Sequence, residues 1–424
     1  MALSHEVDIR KHIDQKRDHY ISLLQQMIRQ PSTAGNEKGV QQLVSEKLTQ
    51  LGLEVDIWEP DVKALSKSKF FNSSRSDFDN SPNVVGVLAG TGGGHSIILN
   101  GHVDVVPPGD LNTWDEDPYS GRVKDGKVYG RGATDMKGGN AALLIALETI
   151  VDMDVQLKGD VIFQSVIEEE SGGSGTLSVI EERGYKGDVA LLPEPSEMKI
   201  FPKQQGSVWF KVKVKGISAH GGTRYEGVSA IDKGIKVYHK LLELEKIRND
   251  RLNDPLYAEN PIPIPLNIGQ FNGGYFPSAV PDDVEIEGRY GIAPAESIEE
   301  AQREFEETLK HLAEDDEWFK EHPVTVEWFG LRLPPGGCDL DHPFLEVLKN
   351  SYQSVKNEEP TLAGSTWGTD GGLLTQAGNI PSLIFGPGTT RMAHFSNEYV
   401  ELDKIFDTAE IITEAILEWC NRSK

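Results

Sequence analysis

Imidazole and carboxylate side chains are concentrated in five short motifs, which are GHVDVVP (101–107), GRGATDMKGG (130–139), VIEEESGG (166–173), LLPEPS (191–196) and MAHFSNE (392–398). The side chains that they offer are His102, Asp104, Asp135, Glu168, Glu169, Glu170, Glu194 and His394. Imidazole nitrogens and carboxylate oxygens are the donors that zinc and related divalent ions take in proteins. Together the motifs predict a metal site.

The motifs follow apolar runs that are typical of buried strands. His102 ends SIILNGH, Glu168 follows VIFQSVI, and Glu194 follows DVALL. Each motif taken singly is weak, because a lone histidine is more often structural and an acidic run is usually a solvated face. Ligand sites of open α/β sheets gather beyond the carboxyl ends of the strands, however. The shared placement therefore favours one common site.

Helical spacing alternates with near-continuous apolar strands in both flanks of the chain, which predicts a mainly parallel α/β sheet. The pattern changes over 205–334, where the order β-α-β-β-α-β and a strictly alternating strand, WFKVKVKG, predict a small split βαβ domain. Joints rich in proline and glycine flank this stretch. The predicted organisation is one domain from 1–204 and 335–424, interrupted by the inserted domain.

Composition narrows the class of protein further. There are 42 basic and 67 acidic residues, so the formal charge is −25, which argues against nucleic-acid or anionic-membrane partners. No run approaches the ~20 apolar residues of a membrane span, and the N-terminal segment has no apolar leader pattern. The two cysteines, Cys338 and Cys420, form no CxxC pattern. We expect a cytoplasmic protein.

The motifs, together with WDEDPYSG (114–121), resemble a family of zinc-dependent metallohydrolases. That family includes acetylornithine deacetylase, succinyl-diaminopimelate desuccinylase, aminoacylase and the bacterial glutamate carboxypeptidase. The resemblance covers nearly the whole chain. It implies a catalytic domain of the zinc-peptidase type with an inserted βαββαβ lid or dimerisation domain, and a homodimer formed through that insertion.

The resemblance also implies two divalent metal ions, with zinc expected first and cobalt or manganese as alternatives. His102 and Glu194 would hold one ion, Glu170 and His394 the other, and Asp135 would bridge them. These five residues are the predicted metal ligands.

Four further residues take roles from the same resemblance. Asp104 would fix the tautomer of His102, and Glu169 would be the general base. His220, in KGISAHGG, would stabilise the oxyanion, reaching across from the partner subunit in dimeric members. Arg289 would bind a substrate carboxylate. Because adjacent residues of a regular strand point to opposite faces, Glu169 and Glu170 can share a site only on an irregular turn.

The expected activity is removal of an acyl group from an N-acylated amino acid or related small amine by a metal-bridging hydroxide. Alternatives are a carboxypeptidase or dipeptidase, a deformylase of a small heterocyclic amine, and a non-catalytic metal-binding scaffold. The presence of Glu169 and His220 argues against the scaffold. Ser278 stands where the family often has asparagine, and Gln205 where it often has arginine. Substrate identity therefore stays open, as do the roles of Glu168 and Asp370.

Overall fold

The structure is a computed structural model that describes residues 9–424. Residues 1–8 belong to the N-terminal segment that was expected not to be a leader, and they lie outside the described residues. Helices and strands alternate through the described chain, which confirms the α/β class. None of the described helices combines the length and apolar character that a bilayer crossing needs.

The chain divides into two compact units. The first comprises the chain up to Lys203 with Gly336–Ala363 and Leu373–Lys424. The second comprises Gln204–Pro335 and Gly364–Gly372. A short segment distant in sequence therefore belongs with the insertion.

The first unit begins with alternating helices and strands. Its helices before the insertion are α1 (Ile9–Gln15), α2 (Arg17–Ile28), α3 (Lys38–Gln50), α4 (Val62–Leu65), α5 (Gly138–Asp152) and α6 (Ser174–Glu181). Its strands there are β1 (Glu54–Trp58), β2 (Asn83–Leu88), β3 (Ile97–His102), β4 (Arg122–Lys124), β5 (Lys127–Tyr129), β6 (Val161–Val166), β7 (Val189–Leu192) and β8 (Ile200–Gln204).

The second unit holds the elements β9 (Gly206–Lys215), α7 (Ala230–Arg251), β10 (Leu266–Gly273), β11 (Asp283–Ile292), α8 (Ile298–Lys310), α9 (Leu312–Asp315), α10 (Trp318–Glu321) and β12 (Thr325–Leu333). The chain after it forms β13 (Gly336–Gly337), α11 (Pro343–Lys356), β14 (Leu362–Ser365), α12 (Gly371–Gln376), β15 (Ser382–Ile384), β16 (Tyr399–Glu401) and α13 (Leu402–Asn421).

The large sheet has the strand order β1-β2-β6-β3-β7-β15-β8-β13, with β14 beside β8. Its centre is parallel, since β6, β3, β7 and β15 run in one direction. The pairs β1–β2, β2–β6 and β15–β8 are antiparallel, so the sheet is mixed rather than mainly parallel throughout. The parallel centre brings the carboxyl ends of β3, β6 and β7 to one edge.

Buried helices support this sheet. All six residues of β3 and of β6 are buried, as expected for strands covered on both faces. α5 is buried almost all round and packs with α13. Tyr20, Ile145 and Phe406 share the apolar cluster between these helices. The residues just before α5 therefore lead directly into a helix that is packed in the core.

The second unit has its own sheet and core. Its antiparallel strands follow the order β10-β11-β9-β12, and the elements occur along the chain as β-α-β-β-α-β. Phe210, Tyr290 and Phe305 pack edge to face or tilted at its centre. Strand β10 is the outer strand on one side, and most of its residues are exposed.

Segment 364–372 is bound to the second unit by hydrogen bonds. The Tyr257 hydroxyl donates to the Ser365 carbonyl at 3.2 Å, and Gln204 Nε2 donates to the Thr369 carbonyl at 3.0 Å. A Cβ on Gly364 would lie 2.2 Å from the Tyr257 ring, so the close approach requires glycine there. Segment 364–372 is therefore packed into the second unit and hydrogen-bonded to it.

Gly139 shows how closely α5 approaches the loop after β7. A Cβ on Gly139 would lie 2.0 Å from the Pro193 carbonyl oxygen, which is main chain and cannot rotate away. We expect Gly139→Ala to lower the free energy of unfolding by about 1–3 kcal/mol, the usual cost of overpacking. Denaturant titration followed by tryptophan fluorescence measures this.

Gly269→Ala is the control, because its added Cβ meets only the Asn267 side chain at 3.6 Å. Equal shifts in the two variants would contradict the packing argument.

Candidate metal centre

His102 lies at the carboxyl end of β3 and is 1% exposed. Its Nδ1 is 2.9 Å from the main-chain oxygen of Asp104, which can only accept, so Nδ1 carries the proton. Asn140 donates to the His102 carbonyl at 2.6 Å. The other ring nitrogen, Nε2, faces the site and lies 3.2 Å from Asp135 Oδ1.

Asp135 lies between two imidazoles. It sits on an irregular turn, Ala133–Lys137, directly before α5. Oδ1 is 3.2 Å from His102 Nε2, and Oδ2 is 3.5 Å from His394 Nε2. Each carboxylate oxygen thus faces a different ring nitrogen, which is the placement that a bridging ligand needs.

The residues after β6 form the irregular turn that the sequence predicts. Glu168 adopts φ 65° and Glu169–Ser171 form a single 3₁₀ turn. The Asp104 carboxylate accepts the backbone N–H groups of Glu169 and Glu170, each at 3.2 Å. Both adjacent glutamates can consequently reach one site.

Three carboxylates complete the cluster around the imidazoles. Glu169 Oε2 and Glu194 Oε2 each lie 3.9 Å from His102 Nε2. Glu170 Oε2 lies 3.0 Å from His394 Nε2. The sequence places Glu194 two residues beyond β7, so the strand end delivers it as expected.

His394 approaches from the late part of the chain. It has φ 65° in the loop before β16, and its side chain is 52% exposed, whereas His102 is enclosed. One side of the site is thus open and the other closed.

Asp104 differs from the expected role. Its carboxylate is 3.6 Å from His102 Nδ1, farther than its own main-chain oxygen. The main-chain carbonyl therefore fixes the tautomer, and the carboxylate holds the turn of Glu169 and Glu170. Burial raises the pKa of Asp104 to about 8, against the opposing charge of His102.

The electrostatics of the cluster favour a cation. Although burial opposes its charged form, hydrogen bonds to Asp135 and Glu170 raise the pKa of His394 to about 11. Within residues 9–424, the ion-pair partners of Asp135 are both imidazoles. One ligand atom each from His102, Asp135 and Glu170 lies within 4.8 Å of the others. This donor set and its excess negative charge fit a divalent metal.

Two predicted residues lie in the second unit. His220 Nδ1 accepts the backbone N–H of Gly222 at 3.1 Å, so its Nε2 carries the proton and is a donor. The N–H of Gly221 donates to the Ser278 carbonyl at 2.7 Å, so the main chain of Ser278 supports this turn. The His220 imidazole is thereby set to donate a hydrogen bond.

Arg289 lies on β11 and donates to the Thr366 carbonyl at 3.3 Å. Burial lowers its pKa to about 10. Among the residues that the structure describes, no carboxylate pairs with Arg289. Its guanidinium can therefore donate hydrogen bonds to an anionic or other acceptor group of a ligand.

Sequence reasoning missed two buried residues of this centre, Arg131 and Glu398. They pair at 2.6 Å and contact the turns of Asp135 and His394. Both lie inside the quoted motifs, as the arginine of GRGATD and the last residue of MAHFSNE. Because they carry opposite charges within motifs already assigned to one site, the sequence could have indicated that they pair.

Comparisons with known proteins show which enzymes this chain is similar to. The N-formyl-4-amino-5-aminomethyl-2-methylpyrimidine deformylase of Halalkalibacterium halodurans is 34% identical over 438 residues and covers 97% of each chain. The enzyme of the same name from Bacillus subtilis is 32% identical over 441 residues and covers 98% of each chain. A solved dipeptidase from Saccharomyces cerevisiae shares the fold, with TM-score 0.77, 14% identity and 98% coverage of both chains.

Residues 98–418 match the sequence profile of Peptidase family M20/M25/M40. Members of this family are dinuclear metal-dependent hydrolases, and the cluster around Asp135 is a candidate group for such ions. The predicted resemblance is thus confirmed. The chain belongs to Peptidase family M20/M25/M40 and is a metal-dependent hydrolase of amide C–N bonds.

Proposed function

We propose that this enzyme removes the formyl group from an N-formylated aminomethylpyrimidine or a closely related heterocyclic amine. The observation that carries the proposal is the joint match, at 34% and 32% identity over nearly the full chain, to two deformylases of that substrate. This is the deformylase alternative of the sequence analysis, and it takes precedence over the N-acylated amino acid that was expected first.

The proposed metal ligands follow the distances around Asp135. His102 and Glu194 would hold one ion, Glu170 and His394 would hold the other, and Asp135 would be shared between them. Zinc is the first expectation, with cobalt or manganese as alternatives. When bound, the two metal ions would polarise the formyl carbonyl and make water a stronger nucleophile near neutral pH.

Glu169 is the proposed general base. Its backbone is held by Asp104, and its Oε2 lies 3.9 Å from His102 Nε2. The carboxylate takes a proton from the attacking water and passes it to the leaving nitrogen. Water adds to the formyl carbon, the C–N bond breaks, and formate and the free amine leave.

His220 is the proposed donor to the oxyanion. Its Nδ1 is occupied by the N–H of Gly222, so the proton sits on Nε2, where it can stabilise developing negative charge. The imidazole donates without having to change tautomer.

A second candidate is hydrolysis of an N-acylated amino acid, and the specific observation that favours it is Arg289. Its guanidinium has a main-chain carbonyl as partner and no described carboxylate. Such a group suits a substrate carboxylate, which it can bind with two parallel hydrogen bonds. In a deformylase the same donors would instead face ring nitrogens of the pyrimidine.

We propose further that two copies associate through the second unit. Strand β10 is an outer strand whose backbone can pair with a second sheet. Ile235, Tyr238 and Leu242 are exposed along one side of α7. These apolar side chains and the open strand suit a self-complementary interface.

Glu169→Gln is expected to lower kcat by at least about 10²-fold, the usual scale of a general base. Bound zinc, measured by elemental analysis, should stay near the wild-type amount because Glu169 is not a ligand. The matched variant Asp135→Asn should lose metal together with activity. Loss of metal in Glu169→Gln would overturn the assignment of roles.

The substrate proposal is tested with N-formyl and N-acetyl derivatives of an aminomethylpyrimidine and of amino acids. We expect kcat/KM for the N-formyl pyrimidine to exceed the others by at least about tenfold, equivalent to about 1.4 kcal/mol. The second candidate predicts instead that an N-acylated amino acid has the highest kcat/KM. It also predicts that Arg289→Met raises KM for carboxylate substrates alone.

Hybrid dimers test whether His220 acts across subunits. A mixture of Glu169→Ala and His220→Ala chains should regain about one quarter of wild-type activity after subunit exchange, because half of the dimers are hybrid and hold one complete site. Sedimentation verifies the dimer, and each variant alone is the control. An inactive mixture with proven exchange would exclude action in trans.

A further inference from the structure

Glu398 is a completely buried carboxylate that contacts the turn of Asp135 in the candidate metal centre. Its Oε1 accepts the backbone N–H groups of Thr134 at 2.8 Å and Asp135 at 3.1 Å. Its Oε2 accepts the N–H of Gly132 at 3.1 Å and Arg131 Nη1 at 2.6 Å. Four hydrogen bonds from one short stretch therefore end on a single side chain, and one of them comes from the backbone of the proposed bridging ligand.

Arg131 extends the same contact to two other segments. Its Nη1 donates to the Phe395 carbonyl at 3.2 Å. Its Nη2 donates to the carbonyls of His394 at 3.3 Å and Pro107 at 3.4 Å. The guanidinium also lies over the Trp114 ring, 5.2 Å from its centroid. The pair thus joins the turn of Asp135 to the main chain of His394 and to the segment that follows His102.

Burial of this pair is costly. Both side chains are taken out of water. Replacing such a buried ion pair by apolar side chains of equal volume often leaves a protein equally stable. Stability alone therefore does not account for it. The pattern of its partners does, because nearly all of them are main-chain groups within or next to segments that carry proposed metal ligands.

We propose that Arg131 and Glu398 are positioning residues that hold the backbones of Asp135 and His394 in place for the metal pair. This proposal rests on the ligand roles proposed above. The repulsion among the surrounding carboxylates would otherwise spread these loops in the metal-free protein. Because folding already orders the ligand set, less ordering is needed when the ions bind.

The test is the affinity of the metal-free protein for zinc, measured by competition with a chromophoric chelator. Glu398→Gln keeps the size of the side chain but replaces one acceptor oxygen by a donor that faces N–H groups. We expect its zinc affinity to fall by about 10- to 100-fold, the usual cost of removing a group that orients a ligand. Excess zinc should restore much of kcat.

Glu148→Gln is the matched control. Glu148 forms another buried pair of the same unit with Lys47, at 2.5 Å, and no proposed ligand lies in that pair. It should lower the thermal midpoint while leaving zinc affinity within about twofold of wild type. Equal zinc affinity in Glu398→Gln and wild type would overturn the proposal, as would an equal loss in both variants.

Arg131→Lys is the second variant, for use if Glu398→Gln does not fold. It keeps the charge but cannot reach Glu398 and the two carbonyls of the His394 loop together, so the same loss of zinc affinity is expected. Unchanged affinity would refute the positioning role. A wild-type protein that binds no zinc, or a normal affinity in Asp135→Asn, would instead refute the proposed ligand roles.

Discussion

The arrangement of the site depends on one constraint, which is that several carboxylates lie around the imidazoles of His102 and His394 in a largely buried cluster. Asp135 faces an imidazole on each side, at 3.2 and 3.5 Å, while Glu169, Glu170 and Glu194 lie close by. Carboxylates gathered around the same two imidazoles repel one another unless a cation lies among them. The loops that carry them must therefore be held by contacts directed away from the site.

Two buried carboxylates provide those contacts in the same manner. Asp104 accepts the backbone N–H groups of Glu169 and Glu170, and Glu398 accepts those of the turn that contains Asp135. In each case an acidic side chain outside the proposed ligand set fixes the main chain and leaves the ligand side chain free to face the cation. The site thus contains two groups of carboxylates. The proposed ligands face the imidazoles, and Asp104 and Glu398 bind backbone N–H groups.

Much of this could be predicted from the sequence. The apolar runs before His102, Glu168 and Glu194 predict strands, and parallel strands bring such ends together, so the family, the α/β class and the irregular turn are all confirmed. The antiparallel edges were missed because an apolar run carries no direction. Arg131 and Glu398 were missed because their pairing joins positions 267 residues apart. The ligand roles stay proposals.

The attachment of segment 364–372 bears on how the insertion is inherited. The hydroxyl of Tyr257 and the guanidinium of Arg289, both encoded within the insertion, donate to carbonyls of this distant loop. Loss or gain of the insertion at its two joints alone would change the partners of these two loop carbonyls. Insertion and loop are expected to evolve as one heritable module, with compensating substitutions appearing in both.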